Sequence, residues 1–204
     1  MLFRSDRQLV EGLGYSVPRE LAAAALASSA LNLPWDVLDL GCGTGLAGVE
    51  FAEHAKSLVG VDLSPKMVEH ARARGIYTHL ICGDLAVALE GDQCYDVVIA
   101  ADVFIYVGKL DAVMPAVRRV LRPGGLLAFT VESAQAHSAM PGPAAAPGYW
   151  LGMSGRYAHD TDYLNELALR NGFVTQQFQK TRIRLESRRP VMGWMMVWRA
   201  ITAP

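Results

Sequence analysis

The 204-residue sequence predicts an α/β fold: a mostly parallel sheet with helices on both faces. Three observations predict it. Short apolar runs alternate with segments of helical spacing between residues 35 and 131, and such alternation implies right-handed crossovers between parallel strands. A glycine-rich turn, Gly41-Cys42-Gly43-Thr44-Gly45, joins the first apolar run to the first helix of the series. Two final apolar segments are separated only by residues 186–190, a connection too short for anything but an antiparallel pair.

The elements follow in order. Residues 18–30 read as an alanine-rich helix opened by Pro18-Arg19-Glu20. Residues 35–40 are the first strand, and Leu46, Val49 and Ala52 recur at helical spacing after the turn. The second strand, 58–61, closes at Asp62; Ser64 suits the cap of the next helix, Pro65 its first position and Gly75 its end. Residues 77–82 form the third strand and 95–101 the fourth, followed by a helix toward Arg122 that Pro115 must start, kink or delay. Gly124-Gly125 turns the chain into the fifth strand, 126–131. Composition then shifts to Ala, Pro, Gly and Ser over 133–148, a long loop of the kind that serves as a functional lid or is disordered. A helix over 161–171 ends at Gly172, and strands 173–185 and 191–201 complete the chain. In the first of these, Lys180, Arg182 and Arg184 alternate with Thr181 and Ile183, which predicts one solvated basic face. The expected organisation is a single domain, 1–204: a helical segment 1–33, a ligand-binding core 34–132, a flexible loop or lid 133–158, and a helix with an antiparallel hairpin 159–204.

Composition narrows the function. A net charge of -1 argues against a general nucleic-acid binder, and no apolar run is long enough to span a bilayer. Cys42, Cys82 and Cys94 lie far apart without metal-ligand spacing, so a cytoplasmic setting and no metal site are expected.

The chemistry concentrates at strand ends. Glycines let the backbone turn sharply and let a ligand approach, and the helix start beyond them offers free N–H groups to an anion. Asp39 at the mouth of the turn suits an ammonium group, so the turn fits an amino-acid moiety. Asp62, at the end of the second strand, can accept from both hydroxyls of a ribose. In Gly83-Asp84-Leu85, after the third strand, Asp84 can accept from an adenine amino group while the Leu85 N–H meets a ring nitrogen.

On these residues the chain resembles class I S-adenosylmethionine-dependent methyltransferases over 35–131. It has the family's Asp-x-Gly-x-Gly-x-Gly turn, its ribose and adenine acids, and Leu-Arg-Pro-Gly-Gly at 121–125. The resemblance implies a Rossmann-like, seven-stranded sheet of order 3-2-1-4-5-7-6 with strand 7 antiparallel. S-adenosylmethionine, and its product S-adenosylhomocysteine, would be held by Asp39, Gly41, Cys42, Gly43, Gly45, Asp62, Leu63, Asp84, Leu85 and Ala101. The flanks 10–15 and 155–164 are similar to a predicted methyltransferase domain associated with tetratricopeptide repeats. A nicotinamide dinucleotide is the alternative ligand, but its turn is Gly-x-Gly-x-x-Gly.

The acceptor belongs over the ends of the fourth and fifth strands. Ala101-Asp102-Val103-Phe104-Ile105-Tyr106 lacks the Asn/Asp-Pro-Pro-Tyr of amide and exocyclic-nitrogen methylation and the Pro-Cys of cytosine methylation. Phe104, Tyr106, Tyr149, Trp150 and Arg156 are candidate acceptor contacts. Asp102, Tyr157 and His159 are candidate catalytic groups. A small-molecule acceptor is expected, with a protein acceptor or a non-catalytic cofactor-binding module as alternatives.

Overall fold

The computed structural model describes residues 15–134, 148–186 and 189–201. Their helices are α1 (Val17–Ser28), α2 (Leu46–Ala52), α3 (Pro65–Arg72), α4 (Leu85–Leu89), α5 (Val113–Val120) and α6 (Thr161–Arg170). The strands are β1 (Trp35–Leu40), β2 (Ala55–Asp62), β3 (His79–Cys82), β4 (Tyr95–Ala100), β5 (Leu121–Ser133), β6 (Tyr149–Leu151), β7 (Tyr157–His159), β8 (Phe173–Glu186) and β9 (Arg189–Ala200). Among the described residues, no helix is long and apolar enough to cross a membrane.

The seven long strands run β3-β2-β1-β4-β5-β9-β8, with β3 through β5 parallel and β9 antiparallel to both β5 and β8. That is the expected order. Successive side chains of a strand point to opposite faces, and the core divides accordingly. Val37 and Ile99 pack in one layer with Val17, Leu21 and Ala25 of α1 and Phe51 of α2. Leu38, Val98 and Leu127 pack in the other with Leu89, Met114 and Val117, and with Leu164 and Leu167 of α6. Pro115 sits in the first turn of α5, where its missing N–H has no helical partner to lose. Ser64 caps α3, with Pro65 at its first position.

Two expectations need correction. Among the described residues the sheet has nine strands, because β6 and β7 form a short hairpin within the stretch expected to be a lid. Glu132 pairs with Gly193 of β9 on one side and with Ala158 of β7 on the other. The hairpin therefore extends the β4 edge of β5, where β4 has ended. Ser133 belongs to β5, not to a loop; residues 135–147 of the expected loop lie outside the described residues. The second correction concerns the basic face. β8 pairs Arg182 with Met192 and Arg184 with Val191, an irregularity that leaves Ile183 as the extra residue. A bulge of this kind reverses the facing of everything beyond it. Arg184 is turned inward and only 12% of its side chain is exposed, whereas Lys180 and Arg182 stay on the surface.

Candidate active site

The parallel strands deliver their C-terminal ends to one edge of the sheet, where ligands of open α/β sheets bind. The turn after β1 is tied to β2 there. The Cys42 N–H donates to the Val61 carbonyl (2.9 Å) and the Gly43 N–H to Asp62 Oδ2 (2.8 Å). The other oxygen of Asp62 accepts from the Ser64 N–H (2.8 Å). Asp62 thus fixes the turn and opens the next helix, and each oxygen keeps a lone pair for a ligand. Gly41 and Gly43 both lie at positive φ, +61° and +54°. A Cβ on Gly41 would stand 2.6 Å from Val103 Cγ2, whereas at Gly43 the nearest atom is 4.0 Å away. Gly41 therefore lets β1 and the loop after β4 close on one another, and Gly43 leaves the mouth of the turn open.

Asp39 is fully buried beneath this turn. The Tyr77 hydroxyl donates to its Oδ2 (2.7 Å) and the Gly48 N–H to its carboxylate; burial nonetheless pushes its pKa up to about 7. Burial also pushes the Cys42 thiol up, well out of reach of a thiolate at neutral pH. Asp84 caps α4 by accepting from the Ala86 N–H (2.9 Å). Leu63 is 73% exposed beside Asp62, an apolar surface at the edge of the cleft.

These residues line a cleft of two lobes. The first, about 570 Å³, is bounded by Asp62, Leu63, Ser64, Gly83, Asp84 and Leu85. The second, about 340 Å³, is bounded by the glycine turn, Asp39, Ala101, Tyr15, Met67 and Arg184. Gly41, Asp102 and Tyr106 line both. Four acids, Asp39, Asp62, Asp84 and Asp102, and one guanidinium, Arg184, line the cleft, a balance that favours a cation over a phosphate.

Residues 37–125 match the family described as "Methyltransferase domain". Over this stretch the chain is similar to that family. Over 98 residues it is 33% identical to a malonyl-[acyl-carrier protein] O-methyltransferase of Serratia marcescens, covering 48% of this chain and 38% of that enzyme. The chain spans about two fifths of the length of the curated relatives it matches. Among solved structures it is similar to a SAM-dependent methyltransferase from Methanosarcina mazei, with a TM-score of 0.67 and 20% identity, covering 85% of this chain and 95% of that one. It is similar too to a 1,6-didemethyltoxoflavin-N1-methyltransferase of Burkholderia thailandensis with bound S-adenosylhomocysteine. There the TM-score is 0.68 and the identity 19%, with 92% of this chain and 80% of that one covered. At these identities the structures establish a shared fold.

Of the candidate acceptor contacts, Tyr106 lines the cleft, and of the candidate catalytic groups, Asp102 does. Phe104 is fully buried, edge-on to Phe129 in the core. Tyr149, Trp150, Tyr157 and His159 lie on the β6–β7 hairpin and border neither lobe. Tyr149 packs against Tyr157, His159 and Tyr163. His159 is inaccessible to solvent, with Nε2 2.9 Å from the Gly108 carbonyl and 3.1 Å from that of Val107; burial holds it below the usual histidine pKa. It is a neutral core histidine that donates to the backbone. Arg156 pairs with Glu186 (3.2 Å) and hydrogen-bonds Tyr106, so it steadies a cleft residue from behind. Gly45 caps α2 in the left-handed conformation, packed against Arg74 and Tyr77.

Three groups escape a reading of the sequence. Tyr77 stands 38 residues from the acid it holds. Tyr15 reaches from ahead of α1 to hydrogen-bond Asp102. Arg184 enters the second lobe through the bulge and pairs with the buried Glu132. The irregular alternation of β8 is visible in the sequence, but not which way it resolves.

Proposed function

We propose that this protein is an enzyme that transfers a methyl group from S-adenosylmethionine to a small-molecule acceptor. One observation carries the reading: an acid-lined, two-lobed cleft whose lobes meet at Gly41, Asp102 and Tyr106. The cofactor supplies an electrophilic methyl group on a cationic sulfur. In this reading Asp62 accepts the ribose hydroxyls, Asp84 and the Leu85 N–H recognise adenine, and Leu63 covers the base. The open turn at Gly43 takes the amino-acid end, with Asp39 beneath it, Cys42 and Ala101 shaping its walls, and Gly45 starting the helix behind it. Methyl transfer to a good nucleophile needs chiefly in-line positioning in a space that excludes water. The second lobe offers Pro18, Leu46, Ala47 and Met67 as apolar walls and Tyr15 and Tyr106 as polar handles.

A small-molecule acceptor is in keeping with the toxoflavin precursor named for one structural neighbour. The kinship to the tetratricopeptide-associated domain belongs to the same proposal and rests on the sequence of residues 10–15 and 155–164. So does a cytoplasmic setting, with which the three free thiols agree. The test is transfer of labelled methyl from S-adenosylmethionine to a small-molecule fraction of cell extract. Label should enter a low-mass product with wild type and not with Asp62→Ala. Label in protein alone would replace the acceptor class. Tight binding without any turnover would make the protein a cofactor sensor.

A further inference from the structure

Asp102, at the junction of the lobes, is not built like an ordinary loop carboxylate. It is the one non-glycine residue at positive φ (+57°) among the described residues, a conformation that L-residues avoid and Asp and Asn tolerate best. Its N–H donates to Thr130 Oγ1 (2.9 Å), so the sheet itself sets the direction of the side chain. The Tyr15 hydroxyl bonds the carboxyl group, but Oδ1 is buried without a hydrogen-bond partner. A buried carboxylate oxygen left unpaired is costly, and Asp102 lines both lobes of the cleft. The charged and titratable groups around it come from several elements: Tyr15 ahead of α1, Asp39 on β1, Glu132 on β5, Arg156 ahead of β7 and Arg184 on β8. Arg184 is engaged by Glu132 and Glu186, and Arg156 by Glu186. The cluster therefore holds four carboxylates against two guanidinium groups.

We propose, resting on the reading of the cleft as an S-adenosylmethionine site, that Asp102 makes it selective for the sulfonium cation over the neutral thioether. The cofactor is thereby retained and the demethylated product let go. The two ligands share adenine, ribose, ammonium and carboxylate; they differ by one methyl group and one positive charge. Whatever Asp39, Asp62 and Asp84 contribute to the shared parts cancels in the ratio of the two affinities. A carboxylate beside the sulfur, in a site that excludes water, does not cancel. Such a charge contact is worth about tenfold or more in affinity. Burial raises the pKa of Asp102 to about 6, against the opposing pull of Arg184 and Tyr15. The preference is therefore full above about pH 7 and fades as pH falls through about 6, because the protonated acid has no charge to offer.

Calorimetric titration of the full chain with S-adenosylmethionine and with S-adenosylhomocysteine, at pH 5 and pH 8, tests this. Wild type should favour the sulfonium about tenfold at pH 8 and lose most of that preference at pH 5. Asp102→Asn, nearly isosteric and tolerant of positive φ, should show the small ratio at both pH values. Tyr15→Phe removes a bond that favours the ionised acid, so it should keep the preference at pH 8 and lose it at a higher pH than wild type. An unchanged ratio in Asp102→Asn overturns the proposal. Equal weakening of both ligands also overturns it, since Asp102 would then hold a shared group. Should Asp102→Asn not fold, the wild-type ratio decides by its pH dependence: a ratio flat from pH 5 to pH 8 overturns the proposal. Failure of both ligands to bind wild type refutes instead the cofactor reading beneath it.

Discussion

Tyr77→Phe removes one oxygen from the best-defined buried polar contact of the cleft. The ring itself stays, packed over Gly45, Gly48 and Gly60, so the change isolates the hydroxyl that donates to Asp39 Oδ2 at 2.7 Å. What that bond is worth depends on the charge of Asp39. Burial lifts the folded-state pKa of Asp39 from 3.8 to about 7. At pH 8 the acceptor is a buried carboxylate, and a hydrogen bond to a charged group contributes about 1.5–3 kcal/mol. At pH 5 it is a neutral acid, and the bond contributes about 0.5–1.5 kcal/mol. For a domain of this size 1 kcal/mol moves the melting temperature by about 2–4 °C. The variant should then melt about 3–12 °C below wild type at pH 8, with a clearly smaller deficit at pH 5. The folded protein keeps the Asp39 proton over a range where the unfolded chain has released it. Wild-type stability without ligand should therefore fall as pH rises from about 4 to about 7. Asp102, raised to about 6, acts in the same direction. Thermal denaturation of both proteins at the two pH values is the assay. Equal deficits at pH 5 and pH 8, or none at either, would refute the claim that Tyr77 sustains a buried ionisable Asp39.

Other substitutions test other parts of the cleft. Asp62→Ala should weaken S-adenosylhomocysteine binding about 10- to 100-fold and also lower the melting temperature, since it frees the Gly43 and Ser64 N–H groups; calorimetry and a melting curve read the two effects, and unchanged affinity removes Asp62 from the ribose. Gly41→Ala places a Cβ 2.6 Å from Val103 Cγ2 at φ +61°, which should cost about 1–3 kcal/mol in chemical denaturation; a neutral outcome would mean that the turn is looser than described. Arg184→Met removes an ion-pair partner of the buried Glu132 and should cost more in chemical denaturation than Arg182→Met on the exposed side of the same strand. Similar costs for the two arginines would contradict the bulge.

The sequence reveals those parts of the fold whose signals are local. Apolar runs with helices between them mark β1 to β5, and a glycine-rich turn after a strand marks the place where a ligand enters. Asp62 and Asp84 are legible because each follows its strand directly. The β6–β7 hairpin is not legible, because Tyr149–Leu151 and Tyr157–His159 are too short to show alternation and are held by long-range pairing, β7 to β5 and β6 to β7. Phe104 and Tyr106 sit two residues apart in one 3-10 turn, yet one is core and the other borders the cleft; strand periodicity does not extend into such a turn. Tyr15, Tyr77 and Arg184 reach the site through contacts between distant parts of the chain. Nothing in their immediate neighbours announces those contacts.

The central claim is that this cleft holds S-adenosylmethionine, and equilibrium binding of its stable product measures it most directly. Purified protein titrated with S-adenosylhomocysteine, with NAD as the comparison, should form a one-to-one complex with the nucleoside thioether alone. Binding of NAD in its place, or of neither ligand, would contradict the account.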